Sequence, residues 1–256
     1  MKTILKTGIL LAAAVVMIAA CTTAPASSRK AETVTITVPE GSTLSVRIRT
    51  QDGSAVRVQG ADKTEIQGTD EVRELNEDKP MQLLKATGTT VVFTGDIREL
   101  DIKDNGTVEN IDVSRCPNIE VLYCAGNKIA QLQLSANKNL KRLQCYNNRL
   151  SKLDVSQQTQ LELLWCGINR LSALDVSGCK KLTQLRCYMN AIETEAMDAL
   201  LKSLPAATGN NTIVREARIL AVGDKIKNGN PSAAALQQAK SNGWVILDSG
   251  NAPIEP

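Results

Sequence analysis

The sequence contains no histidine and very few aromatic residues. The absence of histidine among 256 residues excludes Ser-His-Asp and Cys-His catalysis, and it excludes metal sites built on imidazole ligands. Two tryptophans, three tyrosines and one phenylalanine are the only aromatic residues, although 43% of the chain is hydrophobic. The core must therefore be aliphatic, as it is in stacked repeats.

A strong excess of charge of one sign is also missing. The formal net charge is +3, and removing Lys2 and Lys6 at the N-terminus leaves a charge near +1. A nucleic-acid-binding domain normally carries a concentrated basic surface. The sequence therefore predicts no nucleic-acid partner, and it contains no residue pattern that indicates a catalytic site, a metal site or another cofactor.

Residues 1–20 are predicted to be a signal peptide. Two lysines precede an apolar run over Ile9–Ala20, which is too short to span a bilayer as a helix. The run ends in Ile18-Ala19-Ala20-Cys21, which resembles the lipobox of bacterial lipoproteins. The resemblance implies cleavage before Cys21 and its acylation by diacylglycerol and a fatty acid such as palmitate, with residues 21–31 as a flexible tether. An ordinary secretory signal with a chance cysteine is the alternative.

Four cysteines recur every 21 residues, at Cys124, Cys145, Cys166 and Cys187. The surrounding segments read IEVLYCAGNKI, LKRLQCYNNRL, LELLWCGINRL and LTQLRCYMNAI. A fixed period with an apolar residue at a fixed phase indicates a solenoid. Between these segments a second motif recurs, as Ile111-Asp-Val-Ser, Leu132-Gln-Leu-Ser, Leu153-Asp-Val-Ser and Leu174-Asp-Val-Ser, and it predicts the returning side of each coil.

This unit resembles the leucine-rich repeat over residues 97–192, and its cysteine-bearing form resembles internalin-J-like bacterial repeats. The first coil departs from the pattern, because Ile102 replaces the cysteine and the next copy follows after 22 residues. The resemblance implies a short right-handed solenoid with a parallel concave sheet. The fold class expected is a β-rich α+β solenoid.

Both flanking regions are predicted to cover the open ends of the repeats. Alternating β-branched residues over 32–96 predict a small antiparallel β cap. Residues 193–256 predict an α/β cap with helices over 195–204 and from Asn230-Pro231 to Ala239, and with strands over 212–222 and 244–247. In the second helix we expect Asn230 as the N-cap and Pro231 as the first helical residue.

The inward columns of the coils are interpreted as structural. Stacked cysteines would be free and buried, because their Cβ atoms stay about 4.8 Å apart where a disulfide prefers roughly 3.8 Å. Burial in apolar surroundings makes such thiols inert. A linear column also cannot surround a metal ion tetrahedrally. The asparagines Asn127, Asn148, Asn169 and Asn190 are expected to bond the backbone where each strand ends.

The residues beside the cysteine column are the predicted binding surface on the concave face. The candidates are Tyr123, Arg142, Gln144, Tyr146, Trp165, Arg186 and Tyr188. Tyrosine, tryptophan and arginine are enriched in interface hot spots. A preference of aromatic residues for β-strands is the alternative explanation. Five strands of five residues give a patch of roughly 400 Å², which is below the ~800 Å² per partner of a standard interface.

These features predict a lipid-anchored envelope protein that binds an unidentified host or envelope protein, as an adhesin does. Glycan binding is the alternative, since aromatic rings can stack on sugars. An enzyme is disfavoured, because Glu99, Asp101, Lys103 and Asp104 form a charged group that is expected to be solvated. The expected location is the bacterial outer membrane, with the periplasmic and exterior orientations both open.

Overall fold

The computed structural model describes residues 31–70, 81–206, 215–220, 228–248 and 252–254. The predicted signal peptide, Cys21 and most of the tether lie outside these residues. Among the described segments, no helix is both long enough and apolar enough to cross a membrane.

Fourteen strands and two helices make up the described fold. The strands of the N-terminal region and first coil are β1 (Thr33–Thr37), β2 (Thr43–Thr50), β3 (Val56–Gln59), β4 (Glu65–Ile66), β5 (Gln82–Lys85), β6 (Thr90–Thr94), β7 (Ile97–Asp101) and β8 (Asn110–Arg115). The remaining elements are β9 (Val121–Tyr123), β10 (Arg142–Gln144), β11 (Leu163–Trp165), β12 (Gln184–Arg186), α1 (Thr194–Ser203), β13 (Arg215–Leu220), α2 (Ala233–Ser241) and β14 (Trp244–Asp248).

The repeats form a β-solenoid whose concave side is a parallel sheet. Each coil contributes one short strand, and the strand leucines Leu100, Leu122, Leu143, Leu164 and Leu185 stand in register across the sheet. All five leucines are fully buried. The predicted solenoid with a parallel concave sheet is confirmed.

The N-terminal region continues both sides of the first coil through hydrogen bonds. On the concave side β2 pairs antiparallel with β7, and β5 pairs with β2. On the opposite side β8, the returning segment of the first coil, pairs antiparallel with β1 in a five-stranded sheet of order β4-β3-β6-β1-β8. The N-terminal region therefore extends the solenoid core as two hydrogen-bonded sheets. It does more than pack against the open end of the repeats.

A left-handed backbone position ends each concave strand. The residue two positions after the cysteine column has a positive φ in every coil: Asp104 at 57°, Gly126 at 66°, Asn147 at 53°, Ile168 at 54° and Met189 at 54°. Non-glycine residues lose roughly 1–2 kcal/mol in this conformation. The periodicity of the sequence did not indicate this column, because only one of its five members is a glycine.

The asparagine column fixes the turn that follows. In a typical coil, the Nδ2 of Asn169 donates to the carbonyl oxygens of Cys145, Cys166 and Gly167 at 3.0, 3.1 and 3.2 Å. Its Oδ1 accepts from the backbone N–H of Leu150 at 2.9 Å. Each asparagine thus joins its own coil to the preceding one, which confirms the predicted backbone-bonding role.

Asn228 continues this column beyond the last repeat. Its Nδ2 donates to the carbonyl oxygen of Cys187 at 2.9 Å, and its Oδ1 accepts from the backbone N–H groups of Asn190 and Ile192 at 3.2 and 3.3 Å. Sequence reasoning missed this residue, because it follows Asn190 by 38 positions and no repeat motif surrounds it.

The C-terminal elements form the expected α/β arrangement with one corrected boundary. Helix α2 begins at Ala233, and its N-cap is Ser232, whose side chain accepts a hydrogen bond from the N–H of Ala235. The prediction that Asn230 and Pro231 start this helix was wrong, because Ser232 supplies the capping oxygen in its place. The indole N–H of Trp244 donates to the carbonyl oxygen of Pro205 at 2.9 Å and ties β14 to the end of α1.

The cysteine column is buried in the solenoid core as free thiols. Burial raises the pKa of Cys124 and Cys187 to about 12, and it raises the pKa of Cys145 and Cys166 well above the usual range. A buried thiol with a raised pKa is a poor nucleophile, because the thiolate is the reactive form. The column acts as a stack of small apolar residues.

Candidate functional site

The concave sheet is wider than the repeats alone. Strands β14-β13-β12-β11-β10-β9-β7-β2-β5 form one nine-stranded sheet. At about 4.8 Å per strand its width is roughly 43 Å, and five residue positions along each strand and its flanks give a projected surface of roughly 730 Å². This corrects the five-strand expectation and approaches the ~800 Å² per partner of a standard protein interface.

Part of this face nearest the N-terminal region is occupied by a buried charge network. Glu99 forms ion pairs with Arg47 and Arg49, whose Nη1 and Nε atoms, respectively, lie 2.5 and 3.5 Å from its carboxylate. Arg49 also pairs with Glu120 at 3.6 Å, and Lys141 pairs with the same carboxylate at 3.1 Å.

The charged group of the first coil is therefore not solvated as a whole. Glu99 and Asp101 have relative exposures of 1% and 0%. The expectation for these two residues was wrong, because strand β2 of the N-terminal region pairs beside them and brings Arg47 and Arg49 against Glu99.

The predicted site residues separate into two groups along the sheet. Tyr123 and Gln144 are buried, with relative exposures of 3% and 6%, so they offer little surface to a ligand. Arg142 is half-buried on β10. Tyr146, Trp165, Arg186 and Tyr188 are half-buried and lie together around one cavity.

This cavity, called here the aromatic cavity, is lined by Tyr146, Trp165, Gly167, Arg186 and Tyr188. Its volume is about 210 Å³, which is smaller than the ~300–1,000 Å³ pockets that enclose drug-sized ligands. It therefore fits one side chain or one group of similar size. The ring of Trp165 is covered by Arg186, whose guanidinium carbon lies 3.7 Å from the ring centroid.

Gly167 makes the space between the two tyrosines. It stands in the column of Tyr146 and Tyr188, and a Cβ at this position would lie 2.9 Å from the Tyr188 carbonyl oxygen and 3.5 Å from the Tyr188 ring. The ring of Tyr188 therefore rests over the glycine. This role could have been inferred from the sequence, because Gly167, which has no side chain, stands between Tyr146 and Tyr188 in the same column of the repeat.

The electrostatic environment of the aromatic cavity is uneven. Burial raises the pKa of Tyr146. The nearby groups Asp104, Tyr188 and Asp101 raise this pKa further, whereas the positive charge of Arg186 lowers it. The nearby carboxylates and the guanidinium of Arg186 thus shift the pKa of Tyr146 in opposite directions.

The indole nitrogen of Trp165, a residue that lines the cavity, is an enclosed polar atom. Nε1 is buried and has no hydrogen-bond partner in the part of the chain that the structure describes. A buried donor without an acceptor costs about 1–3 kcal/mol.

No metal centre accompanies this site in the described residues, which contain no group of three histidine, cysteine, aspartate or glutamate side chains placed to hold an ion. A larger cavity of about 840 Å³ lies away from the concave face, between α1 and the returning sides of two coils. Its lining includes the aspartates Asp154 and Asp175, which bond the backbone of Ser156 and Ser177.

No protein-family model matches the sequence. No curated protein matches it either. Among solved structures, the chain is similar to a functional domain of InlJ from Listeria monocytogenes that includes a cysteine ladder, with 26% identity over 59% of this chain and 29% of that one and a TM-score of 0.43.

Two further solved structures are similar over part of the chain. A leucine-rich repeat protein of Leptospira interrogans is 31% identical over 36% of this chain and 25% of its own, with a TM-score of 0.35. An internalin, InlF, of Listeria monocytogenes is 16% identical over 58% and 46%, with a TM-score of 0.38. The matched part spans less than half the length of each of these three proteins.

Proposed function

We propose that this chain is a lipid-anchored cell-envelope protein that recognises a protein partner through its concave sheet. The observation that carries the proposal is the aromatic cavity, because it gathers Tyr146, Trp165, Arg186 and Tyr188 on one accessible part of that sheet. Tyrosine, tryptophan and arginine provide most of the binding energy in many interfaces. The nine-stranded sheet adds projected surface around the cavity that approaches the area such interfaces use.

A binding role is favoured over catalysis by the chemistry of the cavity lining. The five lining residues offer no thiol or carboxylate. Tyr146 has a raised pKa and is therefore mostly protonated near neutral pH. The chain also contains no histidine.

Glycan binding is less well supported than protein binding. A sugar ring stacks on an open aromatic face, and two of the faces at the cavity are already in use, since Arg186 covers one face of Trp165 and the ring of Tyr188 rests over Gly167. A side chain or backbone group from a protein needs only the cavity and its donors.

Affinity capture from envelope extracts with the full chain tests the protein-binding proposal. We expect a protein that is retained by the wild type and lost with a Tyr146→Ala/Trp165→Ala variant. Lys152→Ala is the matched control, because Lys152 is exposed and lies away from the aromatic cavity. Retention of every captured protein by the double variant contradicts the proposal.

The lipid anchor and outer-membrane location are tested separately. Growth with a labelled fatty acid is expected to label the protein and to leave a Cys21→Ser variant unlabelled. Protease treatment of intact cells then distinguishes the exterior orientation, which gives cleavage, from the periplasmic one. Equal labelling of the wild type and Cys21→Ser contradicts acylation at this residue.

A further inference from the structure

We infer that the aromatic cavity and the residues that follow it bind an apolar side chain of the protein partner, and that acidic side chains stand next to it in the partner. The inference rests on the proposed function and adds the chemistry of the recognised segment. Ile168 and Met189, two bulky residues in left-handed positions, contact the apolar side chain. Arg149 and Arg170, on the rim of the same coils, contact the acidic ones.

The left-handed column, formed by the residues two positions after the cysteine column, changes its chemistry beside the aromatic cavity. In the first three coils it contains Asp104, Gly126 and Asn147, which are the residue types that enter this conformation most readily. In the last two coils it contains Ile168 and Met189, each with a φ of 54°. A β-branched residue with positive φ is a genuine outlier. The two residues that fit this conformation least well therefore stand in the coils that contribute most of the cavity lining.

Both bulky residues lie next to the cavity and are partly accessible. Ile168 directly follows Gly167, Met189 directly follows Tyr188, and both Ile168 and Met189 are half-buried. Strained backbone positions cluster at ligand-binding sites, where the surrounding structure holds them in place. The two side chains add apolar surface beside the cavity at the expense of stability in the free protein, which indicates a role in binding.

The lining of the cavity also favours an apolar group. Three of its five residues are aromatic, the fourth is Gly167, and the fifth is Arg186, whose guanidinium stacks on Trp165. A volume of about 210 Å³ admits one side chain of the size of leucine or phenylalanine. Removal of such a side chain from water against aromatic rings and aliphatic neighbours is favourable without any directed hydrogen bond.

The rim beside the cavity carries positive charge. Arg149 and Arg170 each stand three residues after a cavity-lining residue, both are exposed, and neither forms an ion pair within the described ranges. They occupy equivalent positions in adjacent coils, so their backbones are about 4.8 Å apart. Like charges placed opposite each other in this way are destabilising. Acidic side chains of the partner would compensate both charges, so we expect acidic residues next to the apolar one.

Nuclear magnetic resonance of the full chain, labelled at the methionine methyl groups, tests the inference with defined peptides. The Met189 signal reports on the cavity, and the signal of Met197, which is fully buried in α1, is the internal control. The first probe is a capped tripeptide with leucine between two glutamates. A second probe has serine in place of the leucine, and a third has lysines in place of the glutamates.

The leucine–glutamate probe is expected to shift the Met189 signal saturably, with an affinity in the millimolar range because it supplies only one anchor. Its binding should be about fivefold tighter than that of the serine probe, since the leucine loses apolar surface to the cavity. It should be about threefold tighter than that of the lysine probe, since the rim charges are exposed and screened.

Ile168→Asn separates binding from folding, because it introduces the residue that the third coil has at the equivalent position. Asparagine tolerates the left-handed conformation, so the urea midpoint should be no lower than that of the wild type. The leucine–glutamate probe should bind several-fold more weakly. Asn147→Gly is the matched control in the same column, and it should change binding by less than about twofold. A lower midpoint for Ile168→Asn, or unchanged binding, overturns the inference.

A second variant tests the acidic contact. Arg149→Gln/Arg170→Gln is expected to remove the preference for glutamates over lysines while leaving the preference for leucine over serine. Lys138→Gln is the control, because Lys138 is exposed and lies outside the concave strands. A glutamate preference that survives in the double variant overturns the assignment of the acidic contact to these arginines.

The remaining outcomes distinguish this inference from the proposed function. Absence of a Met189 shift with the leucine–glutamate probe, or equal binding of the serine probe, overturns the inference. If captured proteins still depend on Tyr146 and Trp165 in these cases, the proposed function stands and only the chemistry assigned to the partner fails. Capture that is insensitive to both substitutions overturns the proposed function itself.

Discussion

At the scale of single residues, buried polar groups determine how each coil closes. The asparagines satisfy carbonyl oxygens and an N–H group that no strand partner reaches. Their role could be predicted from spacing alone, since the column is periodic. Asn228 could not be predicted, because it reaches the same geometry from a segment without the repeat motif.

Replacing a column asparagine is expected to destabilise the solenoid. Asn169→Ala leaves buried backbone groups of two coils without partners, and we expect a loss of about 2–3 kcal/mol in the free energy of unfolding. Chemical denaturation measures this change. Asn139→Ala is the control, since Asn139 is exposed, and its effect should stay within about 0.5 kcal/mol. Equal losses in the two variants would refute the assigned role.

The cysteine column predicts a loss of stability at high pH. Unfolded thiols ionise near pH 8.5, whereas burial raises the pKa of Cys124 and Cys187 to about 12. Above pH 8.5 the unfolded state loses protons that the folded state keeps, so the free energy of unfolding should fall as pH rises toward 12. The expected slope is about 1.4 kcal/mol per pH unit for each thiol.

Denaturation curves between pH 7 and 11 measure this slope. A Cys145→Ala/Cys166→Ala variant removes two of the raised thiols and should lose stability less steeply over the same range. An identical slope in the variant and the wild type would show that other groups control the alkaline transition.

At the scale of elements, some of the features that join the coils, the N-terminal region and the C-terminal cap could be predicted from the sequence, and others could not. The repeat strands were predictable, because leucine and cysteine recur at fixed positions. The pairing of β2 with β7 and of β1 with β8 was not, since strand partners distant in sequence leave no periodic mark. The burial of Glu99 and Asp101 could not be predicted for the same reason, because it depends on the pairing of β2 with β7.

The ion pairs between β2 and β7 are predicted to be a major link between the N-terminal region and the repeats. Glu99→Gln removes the carboxylate that Arg47 and Arg49 contact and leaves their charge less compensated, at a cost of about 3–5 kcal/mol. Lys141→Ala breaks an exposed ion pair with Glu120 and should cost no more than about 1 kcal/mol. Thermal or urea unfolding compares the two, and similar costs would contradict a structural role for the buried network.

Among the residues with positive φ that follow the concave strands, Gly126 is predicted to require a glycine for steric reasons. A Cβ there would lie 2.3 Å from Asp104 Oδ1 and 3.0 Å from its Cα, whereas Gly106 has nearly the same φ and open space around it. Both alanine variants incur the backbone cost of roughly 1–2 kcal/mol, and Gly126→Ala should lose more because of the clash. Equal unfolding free energies for the two variants would show that Asp104 moves aside without cost.

At the scale of the whole molecule, the flanking regions enlarge the surface that the repeats begin. The sequence identified the concave face and its aromatic residues, but it did not indicate how far the sheet extends. It also could not tell Tyr123 and Gln144, which are buried, from Tyr146, Trp165, Arg186 and Tyr188, which surround the aromatic cavity. That distinction depends on packing between coils, which residue type alone does not specify.

Hydroxyl-radical footprinting of the full chain, free and bound to its captured partner, tests the concave-face account most directly. Aromatic and methionine side chains are the most reactive, and Tyr146, Trp165, Tyr188 and Met189 are half-buried on or beside the aromatic cavity. The account predicts that the partner protects these four residues and leaves the exposed Lys152, on the returning side of a coil, unchanged. Unaltered oxidation of all four, with protection confined to the returning sides of the coils, would contradict it.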